Sequence, residues 1–257
     1  MFGFFNGRHG GLILDFLFIT PRTANDDFDN YLKTSLMNLK VKCAHIHDTD
    51  ESKQINDMSN KYNMSLSSVK KENIFKNNIL VFCKPDIKIL DEIIKEKLTY
   101  VFECNPQVGL VGVLGIKEIH KNCRMYDVIN NPKNGIIYGT ENSNKGEHVQ
   151  YTKNGFFDDI IGVDDSFFAI RGDILEGNDI KFMSNLESGF GIDIALKINM
   201  LGFDAVVADL LILSKSDTDV PFEIIETIVN ENNITEYPIS INSLNIPYRS
   251  EIVDVEI

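Results

Sequence analysis

Ile79-Leu80-Val81-Phe82-Cys83-Lys84-Pro85-Asp86 is the stretch on which the fold turns. Its first five residues are apolar without polar alternation, and they stop abruptly at Lys-Pro-Asp. Such a run describes a short strand buried on both faces, the kind found inside a parallel sheet covered by helices. Asp86 then stands just past the strand's carboxyl end, where open α/β sheets bind their ligands. Beyond it, apolar residues recur at Ile87, Leu90, Ile94, Leu98 and Val101, so a helix is expected from Ile87 to Phe102. Asp86 therefore has two readings: a carboxylate presented to a ligand, or an N-terminal cap for that helix.

The same alternation extends on either side. Leu12 to Thr20 (LILDFLFIT) is a first buried strand halted by Pro21, and Asp26 to Leu39 follows as a helix with Phe28, Leu32, Leu36 and Leu39 on one side. Val41 to His47 is a second strand, ending in the polar run Asp48 to Ser52. Lys53 to Lys71 suits one or two surface helices. Val108 to Gly115 (VGLVGVLG) is a glycine-containing strand that lets a neighbour approach closely. Strands alternating with helices imply parallel pairing with right-handed crossovers, a Rossmann-like half. Periodicity fades from Ile116 to Asn154, where long loops are expected with hairpins near Ile136 to Tyr138 and His148 to Tyr151. Order returns over Phe156 to Ile170, then as a helix from Asp193 to Leu201 and a strand from Ala205 to Leu213. Residues after Ser214 read as an appended segment with a helix near Phe222 to Val229.

Composition narrows the function. Of 257 residues, 38 are acidic and 25 basic, and the resulting charge of −13 disfavours nucleic acid as a partner. Cys43, Cys83, Cys104 and Cys123 form no CxxC pair, which points to a reducing compartment and away from zinc. Met1 to Leu14 is too broken by Asn6, Gly7, His9 and glycines to serve as a signal peptide or membrane span, so a cytoplasmic protein is expected.

Four segments in a fixed order carry a family resemblance: IHDTDES with KYNMS and ILVFCKPDI, then VGLVGVLG, then VDDSFFAIRGDIL, then GFGIDIALKINMLGFDAVVAD. From Leu12 to Leu213 the chain resembles the family-2 glycosyltransferases with a GT-A fold, and within them the streptomycin-biosynthesis StrF-type domain. The resemblance implies an α/β fold with a mixed, mostly parallel sheet flanked by helices over residues 1–215, and an extension over 216–257 packing on or trailing from it. It also implies a hexosyltransferase that moves a sugar from a UDP- or GDP-linked donor to a saccharide or protein hydroxyl, by inversion.

The resemblance assigns roles residue by residue. Asp86 holds a Mg²⁺ or Mn²⁺ ion against the donor diphosphate, hard cations preferring oxygen. Asp193, at a helix start, is the general base for the acceptor. Thr20, Pro21, Asp48, Asp50 and Asn63 border the nucleotide, and Asp164 and Asp165 the sugar or acceptor. Lys84 stands where relatives carry an acidic or histidine-containing motif, and its ammonium would offset charge on the leaving group. Ser214 and Lys215 replace a histidine usual after the last strand, and Asp165 replaces a glycine. These departures keep open a second reading, a GT-A domain without catalysis that binds nucleotide sugars or acts as a scaffold. His45 and His47 alternate on one strand, but no third ligand lies near them in sequence. Turn and cap chemistry alone also accounts for Asp48, Asp50 and Asp193.

Overall fold

The computed structural model describes residues 15–21, 27–46, 58–71, 75, 78–125, 139–142, 148–151, 158–215, 219–244 and 246. The first strand is β1 (Asp15–Pro21), followed by helix α1 (Leu32–Leu39), β2 (Lys42–Ile46), α2 (Met58–Lys71) and β3 (Asn78–Cys83). Next come β4 (Ile87–Ile89), α3 (Ile94–Cys104), β5 (Val108–Gly112), β6 (Gly115–Ile116) and β7 (Glu118–Ile119). Then follow β8 (Gly139–Asn142), β9 (His148–Tyr151), β10 (Gly162–Val163), β11 (Phe167–Arg171) and α4 (Gly172–Asn178). The chain continues through α5 (Phe190–Met200), β12 (Asp204–Val207), β13 (Leu211–Ser214), α6 (Phe222–Glu231) and β14 (Ile239–Ser240).

The main sheet has the order β12-β5-β11-β3-β1-β2. Pairing is parallel between β1 and β2, β1 and β3, and β12 and β5, whereas β11 runs antiparallel to both β3 and β5. The expected mixed, mostly parallel sheet flanked by helices is thus observed. Because side chains alternate along a strand, the central strands feed two cores. Leu80 and Phe82 point to the layer of α2, α4, α5 and α6, while Ile79, Val81 and Cys83 point to α1 and α3. In the first layer Phe82 stacks on Phe168 at 5.3 Å and meets the edge of the Tyr62 ring at 5.3 Å. Truncating Phe82 to alanine would cost about 3–5 kcal/mol.

Three expectations need correction. Ile87 to Ile89 is not the start of a helix but a strand, antiparallel to β13, and α3 begins only at Ile94. The run Ala205 to Leu213 is two strands in different sheets: β12 ends the main sheet, and β13 joins β4, β9 and β8 in a four-stranded one. The stretch Lys53 to Lys71 yields a helix whose Tyr62, Leu66 and Val69 are buried, so α2 is a core-packing helix. The hairpin expected in the loop region pairs β8 with β9, while residues 136–138 lie outside the described set.

The C-terminal segment is built into the first core. Val220, Ile225, Ile228, Val229, Ile239 and Ile241 all belong to it, and β14 pairs with β7. Among the described residues no helix is long and apolar enough to cross a membrane.

Candidate functional site

The sheet's carboxyl edge is set by register. Ile19 lies opposite Phe82 and Phe167 opposite Cys83, so Thr20 comes level with Cys83, while Lys84 and Ser166 come to one level a step beyond, past the end of β3 and at the head of β11. The Lys84 N–H donates to the Ser166 carbonyl at 3.0 Å, extending the ladder one step past β3. Asp86 follows on the link to β4, and its carbonyl accepts the Lys215 N–H at 3.2 Å. With α3 starting eight residues later, Asp86 caps no helix.

Along this edge several buried polar atoms lack a partner: Thr20 Oγ1, Tyr62 OH, Asp86 Oδ1, Asp164 Oδ2 and Ser166 Oγ. Leaving a buried donor or acceptor unpaired costs about 1–3 kcal/mol, so a group of them signals a purpose beyond packing. Tyr62 and Asp86 serve the face of α2, whereas alternation along β1 sends Thr20 to the face of α1. Burial pushes the Tyr62 phenol well above its ordinary range, reinforced by the nearby Cys83, Asp165 and Asp86.

Asp164 and Asp165 enter from the turn before β11. Asp164 Oδ1 accepts the Ser166 N–H at 2.7 Å, which shapes the turn and leaves Oδ2 unused. Asp165 reaches the start of α5, where Oδ2 accepts the Gly189 N–H at 2.6 Å and Oδ1 the Gly191 N–H at 2.8 Å. A helix's first N–H groups have no intrahelical partner, and Asp165 satisfies them from across the fold. Gly189 has φ +82°, which glycine adopts without strain. Burial raises the Asp165 carboxyl to about 6, against the lowering influence of Lys84, while Asp164 pushes it further up.

Asp193, expected to act as the general base, is held by partners within the fold. It is fully buried in the first turn of α5, three residues after the helix start. Its Oδ2 accepts the Met183 N–H and the Lys197 ammonium, both at 2.8 Å, and its Oδ1 takes the Asn232 amide at 3.4 Å. That carboxylate ties α5 to the end of α6 and to the segment before α5. Asn63 is also committed elsewhere: its amide donates to the Phe182 carbonyl at 2.8 Å and accepts the Phe182 N–H at 2.9 Å. Pro21 closes β1 opposite Ile46, as expected. Asp48, Asp50 and His47 lie outside the described residues, and His45 sits on β2 opposite Thr20.

No group of three or more His, Cys, Asp or Glu side chains that could hold a metal gathers among the described residues. Among the described residues, then, no cage of protein ligands for a cation is seen. The unpaired Asp86 oxygen does fit one that arrives already bound to phosphates, since Mg²⁺ is commonly held by one or two carboxylates plus substrate oxygens. Sequence reasoning missed the unpaired hydroxyls of Tyr62 and Ser166, because each looks like an ordinary strand or helix residue. The bond from Asp165 to the glycines of α5 was equally hidden, although the Gly-Phe-Gly run at 189–191 marks a tight backbone approach.

Comparisons with known proteins follow this geometry. Residues 21–206 match the model of a glycosyltransferase-like family. No curated protein matches the chain. Among solved structures, protein A197 from STIV is similar at 13% identity and TM-score 0.47, with 82% of this chain and 91% of that one covered. The mannosyltransferase PcManGT from Pyrobaculum calidifontis, in complex with GDP-Man and Mn²⁺, is similar at 12% identity and TM-score 0.45, covering 76% of this chain and 54% of that one. Residues 1–349 of S. aureus TarS are similar at 14% identity and TM-score 0.46, covering 85% and 65%. The family's segment runs from the last residue of β1 into β12 and takes in Lys84, Asp86 and the turn of Asp164 to Ser166, and on that match the chain belongs to the glycosyltransferase-like family.

Proposed function

We propose that the chain transfers a sugar from a nucleoside-diphosphate sugar to a saccharide or protein hydroxyl, with inversion at the anomeric carbon. The observation that carries this reading is the set of buried, unpaired oxygens of Thr20, Tyr62, Asp86, Asp164 and Ser166 at the carboxyl edge of the sheet. Thr20 and Pro21 border the base, together with Asp48 and Asp50 at the end of β2. Asp86 faces the diphosphate and would hold a Mg²⁺ or Mn²⁺ ion arriving with it, which supplies neutralisation of the leaving group. The Lys84 ammonium, close enough to lower the Asp165 carboxyl, adds positive charge at the same place. Cys83, Cys104 and Cys123 form no disulfide, which suits a cytoplasmic setting.

A thermal-shift panel of UDP, GDP and their sugars, with and without Mn²⁺, tests this. A ligand present at a hundred times its dissociation constant stabilises by about 2.7 kcal/mol, which the melting midpoint reports. Binding followed by release of free nucleoside diphosphate supports the transferase. No midpoint shift with any member would refute it. The second reading, a binding module without catalysis, draws on the Asp193 carboxylate's commitment to Lys197, Met183 and Asn232. It predicts shifts without turnover.

A further inference from the structure

We infer that Tyr31, Lys88 and Lys215 form a subsite for a phosphate group beside Asp86, the two ammonium groups meeting the phosphate and the ring supporting them. The inference rests on the transferase reading above and deepens it by naming the residues that receive a substrate's phosphate charge. Lysines gathered at one place stand out in a chain of net charge −13.

The backbone brings the three together. The Lys215 N–H donates to the Asp86 carbonyl at 3.2 Å, one step beyond the pairing of Ser214 with Ile87, so Lys215 and Asp86 are cross-strand neighbours. Lys88 comes two residues after Asp86 and opposite Leu213, and alternation puts it on the same side of the second sheet as Asp86 and Lys215. β4 is the edge strand of that sheet. There the Ile89 N–H donates to the Ser35 hydroxyl at 3.0 Å, which fixes α1 along the edge. Tyr31 stands four residues before Ser35, one helical turn away, and so faces the same strand.

The Lys88 Nζ lies 4.6 Å and the Lys215 Nζ 6.0 Å from the centroid of the Tyr31 ring. An aromatic face attracts a cation, and here one ring draws two like charges together. Asp27 pairs with Lys215 and answers one of those charges, while Asp29 on the same turn pairs with Lys33 at 2.9 Å. Asp86 keeps its Oδ1 buried, so the lysines are what this side offers to solvent. The Lys215 side chain is 49% exposed and that of Asp27 31%, and Lys88 and Tyr31 are half-buried, so a ligand has access. An exposed ion pair holds weakly. A phosphate, with more charge and more acceptor oxygens than one carboxylate, displaces Asp27 from Lys215 and bridges to Lys88 through charge-assisted hydrogen bonds. The exchange swaps ion-pair partners and makes or breaks no covalent bond. The phosphate belongs either to the donor's diphosphate or to a phosphorylated acceptor, which present the same oxygens.

The test uses the full chain in metal-free buffer with inorganic pyrophosphate as the probe. Binding is read by phosphorus NMR titration and folding by circular dichroism. Lys88→Gln and Lys215→Gln should each weaken pyrophosphate binding about tenfold, the usual effect of losing one hydrogen bond to a charged group, and together by more. Lys88→Arg keeps the charge and should stay within about threefold. Lys70→Gln removes a charge at the far end of α2, where Lys70 pairs with Asp179 at 2.9 Å, and should stay within about twofold because salt screens it. UDP and GDP then identify the source of the phosphate. Their binding lost along with that of pyrophosphate assigns it to the donor, and their binding kept while that of pyrophosphate is lost assigns it to the acceptor; both results support the subsite. Pyrophosphate binding by the double variant within about twofold of the unmodified chain overturns it, as does an equal loss in Lys70→Gln or no pyrophosphate binding by the unmodified chain. Should the double variant fail to fold, the two single variants carry the test. Pyrophosphate bound at these lysines with no UDP- or GDP-sugar bound at all would leave the subsite standing and defeat the transferase reading instead.

Discussion

Replacing Gly191 by alanine separates local preference from tertiary structure, because the two predict opposite signs. In an isolated helix, Gly→Ala gains about 1 kcal/mol. Here the added Cβ would sit 2.3 Å from the Val163 carbonyl oxygen and 3.0 Å from its carbon, and a carbonyl cannot swing aside as a side-chain tip can. To restore contact near 3.4 Å, α5 must move about 1 Å away from β10. It is poorly placed to do so, since Ile192, Ile194, Leu196 and Ile198 are fully buried and every shift presses on another neighbour. Overpacking of this kind costs about 1–3 kcal/mol. The same movement stretches the 2.8 Å bond from the Gly191 N–H to Asp165, and a buried donor left unpaired costs about 1–3 kcal/mol more. After the helix gain is subtracted, the net loss is about 1–5 kcal/mol, or roughly 2–20 °C in melting temperature for a chain of this size. Urea unfolding followed by circular dichroism measures it. An alanine variant as stable as the unmodified chain would refute the geometry of the α5 start and the placing of Asp165 with it.

Asp165 should also leave a pH signature. Its carboxyl lies near 6 when folded against 3.8 when unfolded, so its contribution is fully present below about pH 4 and is lost as pH rises through 6. The loss is about 3 kcal/mol, and the stability difference between the unmodified chain and Asp165→Asn should fall by that order from pH 4 to 7; parallel curves would contradict it. Tyr62→Phe removes a buried hydroxyl that has no partner, so the ligand-free protein should be unchanged or about 1 kcal/mol more stable. A loss above 1 kcal/mol would mean the hydroxyl is satisfied after all, whereas weakened nucleotide binding would place it in the site. Asp193→Ala removes the charge partner of Lys197 and the acceptor of the Met183 N–H and the Asn232 amide, and should cost about 2–4 kcal/mol in urea unfolding. A cost below 1 kcal/mol would argue that this network is solvent-slack.

The strands were legible where burial on both faces leaves an unbroken apolar run, as in β1, β3 and β5. The same signal misled at Ala205 to Leu213, since an apolar run says nothing about a chain leaving one sheet for another at Ala208 to Leu210. Ile87 to Ile89 was misjudged for a related reason. Ile87 fits the helical spacing of Leu90, Ile94 and Leu98, yet pairing with β13 outweighs that local preference. The place of Asp86 just past a buried strand was readable, because the end of such a strand is a place that topology fixes. Asp165 and Asp193 could not be sorted in that way. Each is an acidic residue near a turn or helix start, and contacts 10 to 39 residues away are what show that one meets the start of α5 and the other the Met183 N–H and the Asn232 amide.

Asn232 on the last turn of α6 gives the C-terminal segment a consequence for how this protein is cut or shuffled. A chain stopped at Ser214 would keep every strand of the main sheet, yet it would lose the Asn232 amide that Asp193 accepts and uncover the apolar side of α5 that Ile225 and Ile228 now close. The portable unit, for a protein engineer or for recombination between genes, therefore extends to residue 244, and boundaries drawn at the end of β13 would yield sticky, poorly expressed fragments.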